Sequence, residues 1–383
     1  MMARWLPQPL PRRRSSATLL ALAYAGLVVY ASLYPFWPWT LPPTVDAWGL
    51  IGLPWPKYWG GFDVHANLLG YMPLGLLVFA AAVRSGLRLP RCLLLGLLLP
   101  PLLSFGMESL QYFLPRRVPS MVDWLLNSAG AAVGLLLGLV LYIAGGLTRW
   151  QGRREHWFVP HSAGALALLA LWPVALLFPA PVPLGLGQVL PRLQELAASL
   201  LEGTPWALQW DELAEPALQR ALPPGLEGIT IALGLLAPCL LALSVARPGW
   251  QRLALVFGAA ALGVLSTALS TALNFGPQHA WAWLTLSTWP GLALGLGLAC
   301  ILCAFSRRAC AAWGLVVTSA LIAMVSEAPT DPYLAQSLQA WEQGRFISFY
   351  GLAQWVGWLW PFGVLAWLLA LLARREVRAS GTG

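Results

Sequence analysis

Acidic and amide side chains recur at helical spacing at three places between residues 63 and 127. Because residues three or four positions apart share one face of a helix, each pair points to one side. Carboxylates can transfer protons and amides can donate and accept hydrogen bonds, so three such faces could line one polar pocket. The pairs are Asp63 with Asn67, Glu108 with Gln111, and Asp123 with Asn127.

Glu108 is the most informative of these residues because it lies inside an apolar run. A carboxylate at membrane depth costs about 2.5 kcal/mol or more unless it is paired or hydrated. Arg116 and Arg117 follow within a turn of the predicted helix end, and a guanidinium fork fits planar anions. Glu108 and Asp123 are the predicted catalytic acid or base. The predicted substrate-binding residues are Asp63, His65, Asn67, Gln111, Arg116, Arg117 and Asn127.

Each of these residues also has an architectural interpretation, which the sequence leaves open. Ser120 and Asp123 fit a helix N-cap followed by an acid in the first turn. Glu108 and a nearby arginine could form an ion pair that only holds helices together. Small residues every four positions after Asn127 are typical of close helix packing in membranes. These are Gly130, Gly134 and Gly138.

The elements that must position these residues are membrane helices. The chain has 383 residues, of which 58% are hydrophobic and 10% charged, a composition that excludes a soluble globular protein. Apolar stretches long enough to cross a bilayer recur, and in lipid such stretches must be helical. We predict an all-α polytopic bundle of about ten transmembrane helices. The predicted spans are 17–36, 66–83, 92–113, 121–144, 163–180, 228–246, 251–273, 282–305, 309–325 and 350–373.

The distribution of arginine predicts the orientation of the bundle. With the N-terminus inside, 17 of the 23 Lys and Arg residues fall in inner segments, and six inner segments agree. Both termini are therefore predicted to be cytoplasmic, and the polar pocket lies at the outer surface. The formal charge of +8 is a topology signal, so no nucleic-acid partner is needed to explain it.

The basic stretch 149–156 divides the chain into two predicted membrane units, 1–148 with four helices and 149–383 with about six. The segment 181–227 combines leucines at helical spacing with acidic residues, which predicts amphipathic helices on the outer surface. The five cysteines lie in or near predicted spans and indicate no disulfide framework. Cys300 and Cys303 lack further ligands at metal-binding spacing, so we predict no metal site and no cofactor.

Two stretches resemble the VanZ-like family, which is named after a teicoplanin-resistance protein. One is the run from Glu108 to Arg117 with the polar and glycine positions that follow it, and the other is Asn67 to Gly75. Ser32 to Pro35 also resembles the end of that family's first helix. The resemblance covers about residues 17–144. It implies a multi-pass protein of the bacterial inner membrane, but it carries over no established catalytic residues.

The first functional hypothesis is an envelope protein that binds or modifies a lipid-linked or amphiphilic substrate at the outer leaflet. This role could be linked to glycopeptide resistance or to envelope polysaccharide. The alternatives are a transporter or flippase of an envelope precursor, and a membrane scaffold with protein partners that the sequence does not identify. Nucleotide-binding, zinc-protease and serine-hydrolase signatures are absent, which leaves open whether the protein is an enzyme. The predicted partners are membrane lipid and a lipid-linked or amphiphilic substrate.

Overall fold

A computed structural model describes residues 16–34, 36–40, 52–56, 61–178, 180–206, 222–275, 277–328 and 347–374. Its named elements over these ranges are all helices, apart from one isolated β-bridge between Phe158 and Ala246. The chain forms two compact units, unit 1 from Met1 to His156 and unit 2 from Trp157 to Gly383. The division follows the basic stretch 149–156.

Unit 1 contains four apolar helices followed by a short polar one. They are α1 (Ser16–Leu33), α2 (Gly61–Arg84), α3 (Leu89–Gln111), α4 (Met121–Ile143) and α5 (Gly146–Trp157), the last of which ends at the boundary. Unit 2 contains α6 (Ala163–Ala175), α7 (Leu190–Leu201), α8 (Pro224–Val245), α9 (Trp250–Phe275), α10 (Thr288–Leu302), α11 (Arg307–Glu327) and α12 (Ile347–Ala373).

Seven of these helices are long and apolar enough to cross a membrane: α2, α3, α4, α8, α9, α11 and α12. Three shorter apolar helices, α1, α6 and α10, occupy the other three predicted spans. The prediction of an all-α polytopic membrane bundle is confirmed. The number of ten crossings and the location of the termini remain predictions.

Glycines bring the backbones of α2 and α4 into direct contact. A Cβ built on Gly130 would fall on the Leu68 carbonyl oxygen, and one built on Gly134 would fall on that of Met72. From the other side, a Cβ on Gly75 would fall on the Ala131 carbonyl oxygen. Only glycine permits this approach, as in other small-residue membrane interfaces. The spacing of glycines after Asn127 therefore encodes helix packing.

The end of unit 1 where α2 finishes and α3 begins has an apolar interior. Phe79, Cys92 and Leu135 are buried there together, and the Phe79 ring meets Tyr142 edge to face with centroids 6.2 Å apart. The buried polar residues of α3 and α4 lie toward the opposite end of these helices. The interior of unit 1 is thus divided into an apolar half and a half in which the buried polar residues lie among apolar ones such as Met107 and Leu114.

Unit 2 is built around α8, whose residues from Thr230 to Val245 are almost all buried. The predicted outer segment 181–227 differs from expectation in its first part. Residues 182–188 are not helical and are buried within unit 2 rather than lying on its surface. Helix α7 lies within the predicted amphipathic segment, while residues 207–221 are outside the described part of the chain.

Candidate functional site

A hydrogen bond from the start of α4 to the end of α3 forms the centre of the site. The Glu108 side chain is 5% exposed, and its Oε2 accepts a hydrogen bond of 2.9 Å from the backbone N–H of Ser120. Ser120 is the N-cap of α4, and its Oγ accepts from the Asp123 backbone N–H at 3.2 Å. The predicted N-cap is therefore present, and the carboxylate of Glu108 accepts from an amide at the positive end of the helix dipole.

Three further polar residues continue from Glu108 into the bundle. Ser104 lies one turn earlier on the same face of α3, and its Oγ accepts a 3.0 Å hydrogen bond from Asn127 Nδ2 of α4. The Tyr71 side chain of α2 lies beside Ser104 and within electrostatic range of Glu108. We call Tyr71, Ser104, Glu108 and Asn127 the buried polar cluster; all four are buried.

Two atoms of the buried polar cluster lack hydrogen-bond partners among the described residues. They are Asn127 Oδ1 and the Tyr71 hydroxyl, and each is shielded from solvent; the Tyr71 hydroxyl lies close to the Ser104 side chain but does not meet hydrogen-bond geometry with it. A buried polar group without a partner costs about 1–3 kcal/mol, and native proteins contain few of them. The cluster therefore has hydrogen-bonding capacity beyond what its own contacts use.

Gln111 and Arg117 bind the C-terminal end of α1. Gln111 Nε2 donates to the Ser32 carbonyl at 2.9 Å. Arg117 donates from Nη2 to the Ala31 carbonyl and from Nε to the Tyr34 carbonyl, both at 2.9 Å. These donors satisfy carbonyls that a helix end leaves without intrahelical partners. Two predicted substrate-binding residues thus position α1 against α3.

Electrostatics support this arrangement of Arg117. A cation at a helix C-terminus is stabilised by the helix dipole. Burial lowers the pKa of Arg117, and the nearby carboxylate of Glu108 opposes that shift. The charge of Arg117 therefore acts on the end of α1 and on Glu108 together. Asp123 also lies within electrostatic range of Glu108, as the predicted convergence requires.

Two pieces of the loop between α1 and α2 pack on the link between α3 and α4. The backbone N–H of Met121 donates to the Pro54 carbonyl, and that of Thr40 donates to the Phe113 carbonyl, both at 2.9 Å. Leu53 is buried beside this link. The segment Gly52–Pro56 therefore covers part of the α3–α4 connection.

The remaining predicted residues lie outside the buried polar cluster. His65 is exposed, and its Nδ1 is 2.6 Å from the Gly61 carbonyl oxygen of its own helix. Arg116 is exposed, and Asn67 is half-buried. Asp63 lies in the first turn of α2, but its side chain is outside the described part of the structure. The structure thus brings Glu108, Asp123 and Asn127 toward one site.

Sequence reasoning missed Tyr71 and Ser104 as members of the site. Both were marked by spacing, since Ser104 is four residues before Glu108 and Tyr71 is four residues after Asn67. A serine and a tyrosine in apolar runs are common in membrane helices, so spacing alone did not distinguish them.

Residues 12–142 match the family model described as VanZ/LLP1. The N-terminal region is VanZ-like. This confirms the resemblance predicted for about residues 17–144. The VanZ-like region contains α2, α3 and nearly all of α4, and with them the whole buried polar cluster. It covers 131 of the 383 residues, so unit 2 lies outside the match. No curated protein and no solved structure matches the chain.

Proposed function

We propose that unit 1 of this VanZ-like membrane protein binds the polar end of an amphiphilic or lipid-linked molecule at the outer leaflet of the bacterial inner membrane. The buried polar cluster receives that polar end, and the exposed Arg116 lies at the rim, where a guanidinium suits a phosphate or carboxylate. His65 and Asn67 are the rim residues contributed by α2.

The observation that carries this proposal is the pair of buried atoms without partners, the Tyr71 hydroxyl and Asn127 Oδ1. A purely architectural cluster gains nothing from polar atoms that it leaves unsatisfied, because each lowers stability. A ligand that hydrogen-bonds to both atoms would offset that cost. Such a loss of stability in the service of function is common at binding sites.

The division of unit 1 favours binding over transport across it. Phe79, Cys92 and Leu135 fill the opposite half of the interior with apolar side chains. An ion or a polar headgroup crossing unit 1 would lose its hydration there, at a cost of several kcal/mol. The transporter alternative therefore receives no support from unit 1.

Within this proposal the predicted residues divide into two roles. Glu108 and Asn127 contact the ligand, with Asp123 close to Glu108. Gln111 and Arg117 are positioning residues because they hold α1 against α3. The carboxylates of Glu108 and Asp123 have the chemistry of a general acid or base, so the same site is suited to modifying the bound molecule.

Photo-crosslinking tests the binding site directly. The protein is reconstituted in nanodiscs with a diazirine-bearing polyprenyl phosphate that carries a sugar, whose hydroxyl groups can donate to Asn127 Oδ1, and the adducts are located by mass spectrometry. We expect adducts at the outer ends of α2, α3 and α4. Tyr71→Phe and Asn127→Leu should each lower the adduct yield several-fold. The unfolding temperature should be maintained or rise in Tyr71→Phe, because an unpartnered polar group is removed, whereas Asn127→Leu also removes the hydrogen bond to Ser104 and should lower it modestly.

A matched control is Ser128→Ala, which removes a hydroxyl that donates to the Trp124 carbonyl of its own helix at 2.7 Å. It should leave the adduct yield unchanged. Wild-type adduct yields in both Tyr71→Phe and Asn127→Leu would show that the cluster serves packing alone. Recovery of the probe after incubation, by mass, distinguishes binding from modification.

A further inference from the structure

The chain between α6 and α7 enters the interior of unit 2 without forming a helix. Val182, Leu184 and Leu186 are buried there, together with Gln188. We call residues 181–189 the re-entrant segment. Non-helical backbone at membrane depth is tolerated only where protein buries it or where it lines a hydrated cavity.

Leu184 is the tip of the re-entrant segment, and it reaches the middle of the two long helices α8 and α9. A Cβ built on Gly234 would lie 2.6 Å from the Leu184 carbonyl oxygen, and one built on Gly263 would lie 3.2 Å from Leu184 Cδ2. Gly234 is the eleventh of the 22 residues of α8, and Gly263 is the fourteenth of the 26 residues of α9. At 1.5 Å of rise per residue, the tip lies about 15 Å below the start of α8.

Within the described part of the chain, hydrogen bonds tie the segment to α12 and to the end of α11. The Gly187 N–H donates to the Gly357 carbonyl of α12 at 3.1 Å, and Gln188 Nε2 donates to the Ala328 carbonyl at 3.3 Å. Leu184 has a φ of 61°, a region that side chains other than glycine rarely adopt. The surrounding helices therefore hold the tip in a conformation that the local sequence does not favour.

Two buried polar atoms on the helices around the segment have no hydrogen-bond partner among the described residues: Trp172 Nε1 on α6 and Thr318 Oγ1 on α11. Trp172 and Leu184 both lie against Gly263, so the Trp172 indole is at the tip. Thr318 lies on the same face of α11 as Ile322 and Val325, which contact the segment at Gly187 and Gly185.

These two atoms mark unused hydrogen-bonding capacity at the middle of unit 2. In contrast, the neighbouring Trp360 bonds the Leu168 carbonyl through its Nε1 at 2.7 Å. An indole N–H requires an acceptor and a threonine hydroxyl can donate or accept. The side chains named at the tip are uncharged, so they would not compensate the charge of an ion.

We infer that unit 2 holds a second polar site, at the tip of the re-entrant segment between Trp172 and Thr318. It takes water or the hydroxyl group of a small uncharged solute, which hydrogen-bonds to Trp172 Nε1 and Thr318 Oγ1. The site is independent of the function proposed for unit 1.

Cysteine labelling tests whether this site is open to water. In a chain whose five native cysteines are replaced, Thr318→Cys is compared with Val316→Cys, which lies two residues away and is 58% exposed on the outside of the same helix. Because the reactive thiolate needs a polar environment, Thr318→Cys should react several-fold faster than Val316→Cys with a small uncharged maleimide. A permanently charged thiol reagent of similar size should react far more slowly at Thr318→Cys.

Labelling after denaturation confirms that both thiols are present. Equal, slow labelling of Thr318→Cys and Val316→Cys in folded protein would show a dry tip and overturn the inference. Equal labelling rates for the charged and uncharged reagents at Thr318→Cys would contradict the inference that the solute is uncharged.

Hydrogen–deuterium exchange of the native chain gives a measurement that needs no variant. We expect peptides covering 182–189 to exchange within minutes. Full protection of this segment for hours would exclude access of water and overturn the inference.

Discussion

The carboxylate of Glu108 accepts a hydrogen bond from the backbone N–H of Ser120 at 2.9 Å, which joins the end of α3 to the N-cap of α4. The bond places a side chain with acid–base chemistry at a helix N-terminus inside a membrane bundle. It also makes Glu108 both an architectural residue and a candidate ligand contact. Substitutions can separate these two roles.

Replacing Glu108 by Gln or by Leu should have different effects on stability. Glu108→Gln keeps an oxygen that accepts from Ser120, so we expect a change in unfolding free energy within about 1 kcal/mol. Glu108→Leu leaves the buried N–H without a partner and should cost about 1–3 kcal/mol. Thermal unfolding in detergent measures both.

Photo-crosslinking of the same two variants then reports the ligand role. Both should lose adducts with the polyprenyl phosphate probe, because neither presents a carboxylate to the site. A Glu108→Gln variant that is stable and fully active in crosslinking would restrict Glu108 to an architectural role.

Arg117→Lys should loosen α1 although it keeps the positive charge. An ammonium cannot donate to the Ala31 and Tyr34 carbonyls with the fork geometry of a guanidinium. We expect a loss of about 1–3 kcal/mol in unfolding free energy and faster proteolysis after α1. The matched control is Arg116→Lys, an exposed neighbour that should change stability by less than about 0.5 kcal/mol. Equal behaviour of the two variants would contradict the assigned role of Arg117.

Gly134→Ala should separate α2 from α4. The added methyl group would fall on the Met72 carbonyl oxygen, and backbone cannot yield as a flexible side chain does. We expect a loss of about 1–3 kcal/mol, typical of overpacking. Gly106→Ala is the control, because nothing lies within 4 Å of a Cβ at that position of α3. It should be neutral or stabilising through better helix propensity. A neutral Gly134→Ala would show that the α2–α4 contact is less close than described.

The predicted orientation is checked by reporter fusions. Fusions at Gly146, at Gly203 and at the C-terminus should read inside, outside and inside, because the inner segments collect most of the arginines. Alkaline phosphatase and green fluorescent protein give opposite signals at each position and serve as mutual controls. A periplasmic signal at Gly146 would show that the bundle has the opposite orientation, with the buried polar cluster at the cytoplasmic face.

The sequence by itself determined the class of this protein and the position of its helices. Apolar runs must form helices in lipid whatever their neighbours are, so the all-α membrane bundle could be read from composition. The N-cap at Ser120 and the shared face of Glu108 and Ser104 are also local, since they depend on residues only a few positions apart. The glycine spacing after Asn127 likewise indicated close helix packing.

Only the tertiary structure decided which distant groups these side chains meet. Gln111 and Arg117 were predicted to bind a substrate, and only the structure shows that they donate to carbonyls of α1 about 80 residues earlier. Tyr71 joined the site because Gly130 and Gly134 draw α2 against α4.

The re-entrant segment was hidden for the same reason. A short run of proline, glycine and leucine between helices resembles a surface loop, and its burial depends on glycines of α8, α9 and α12 that make room for it. The spacing of residues along the chain indicates which side chains share a face of one helix. Which faces of separate elements meet is decided by their packing in three dimensions.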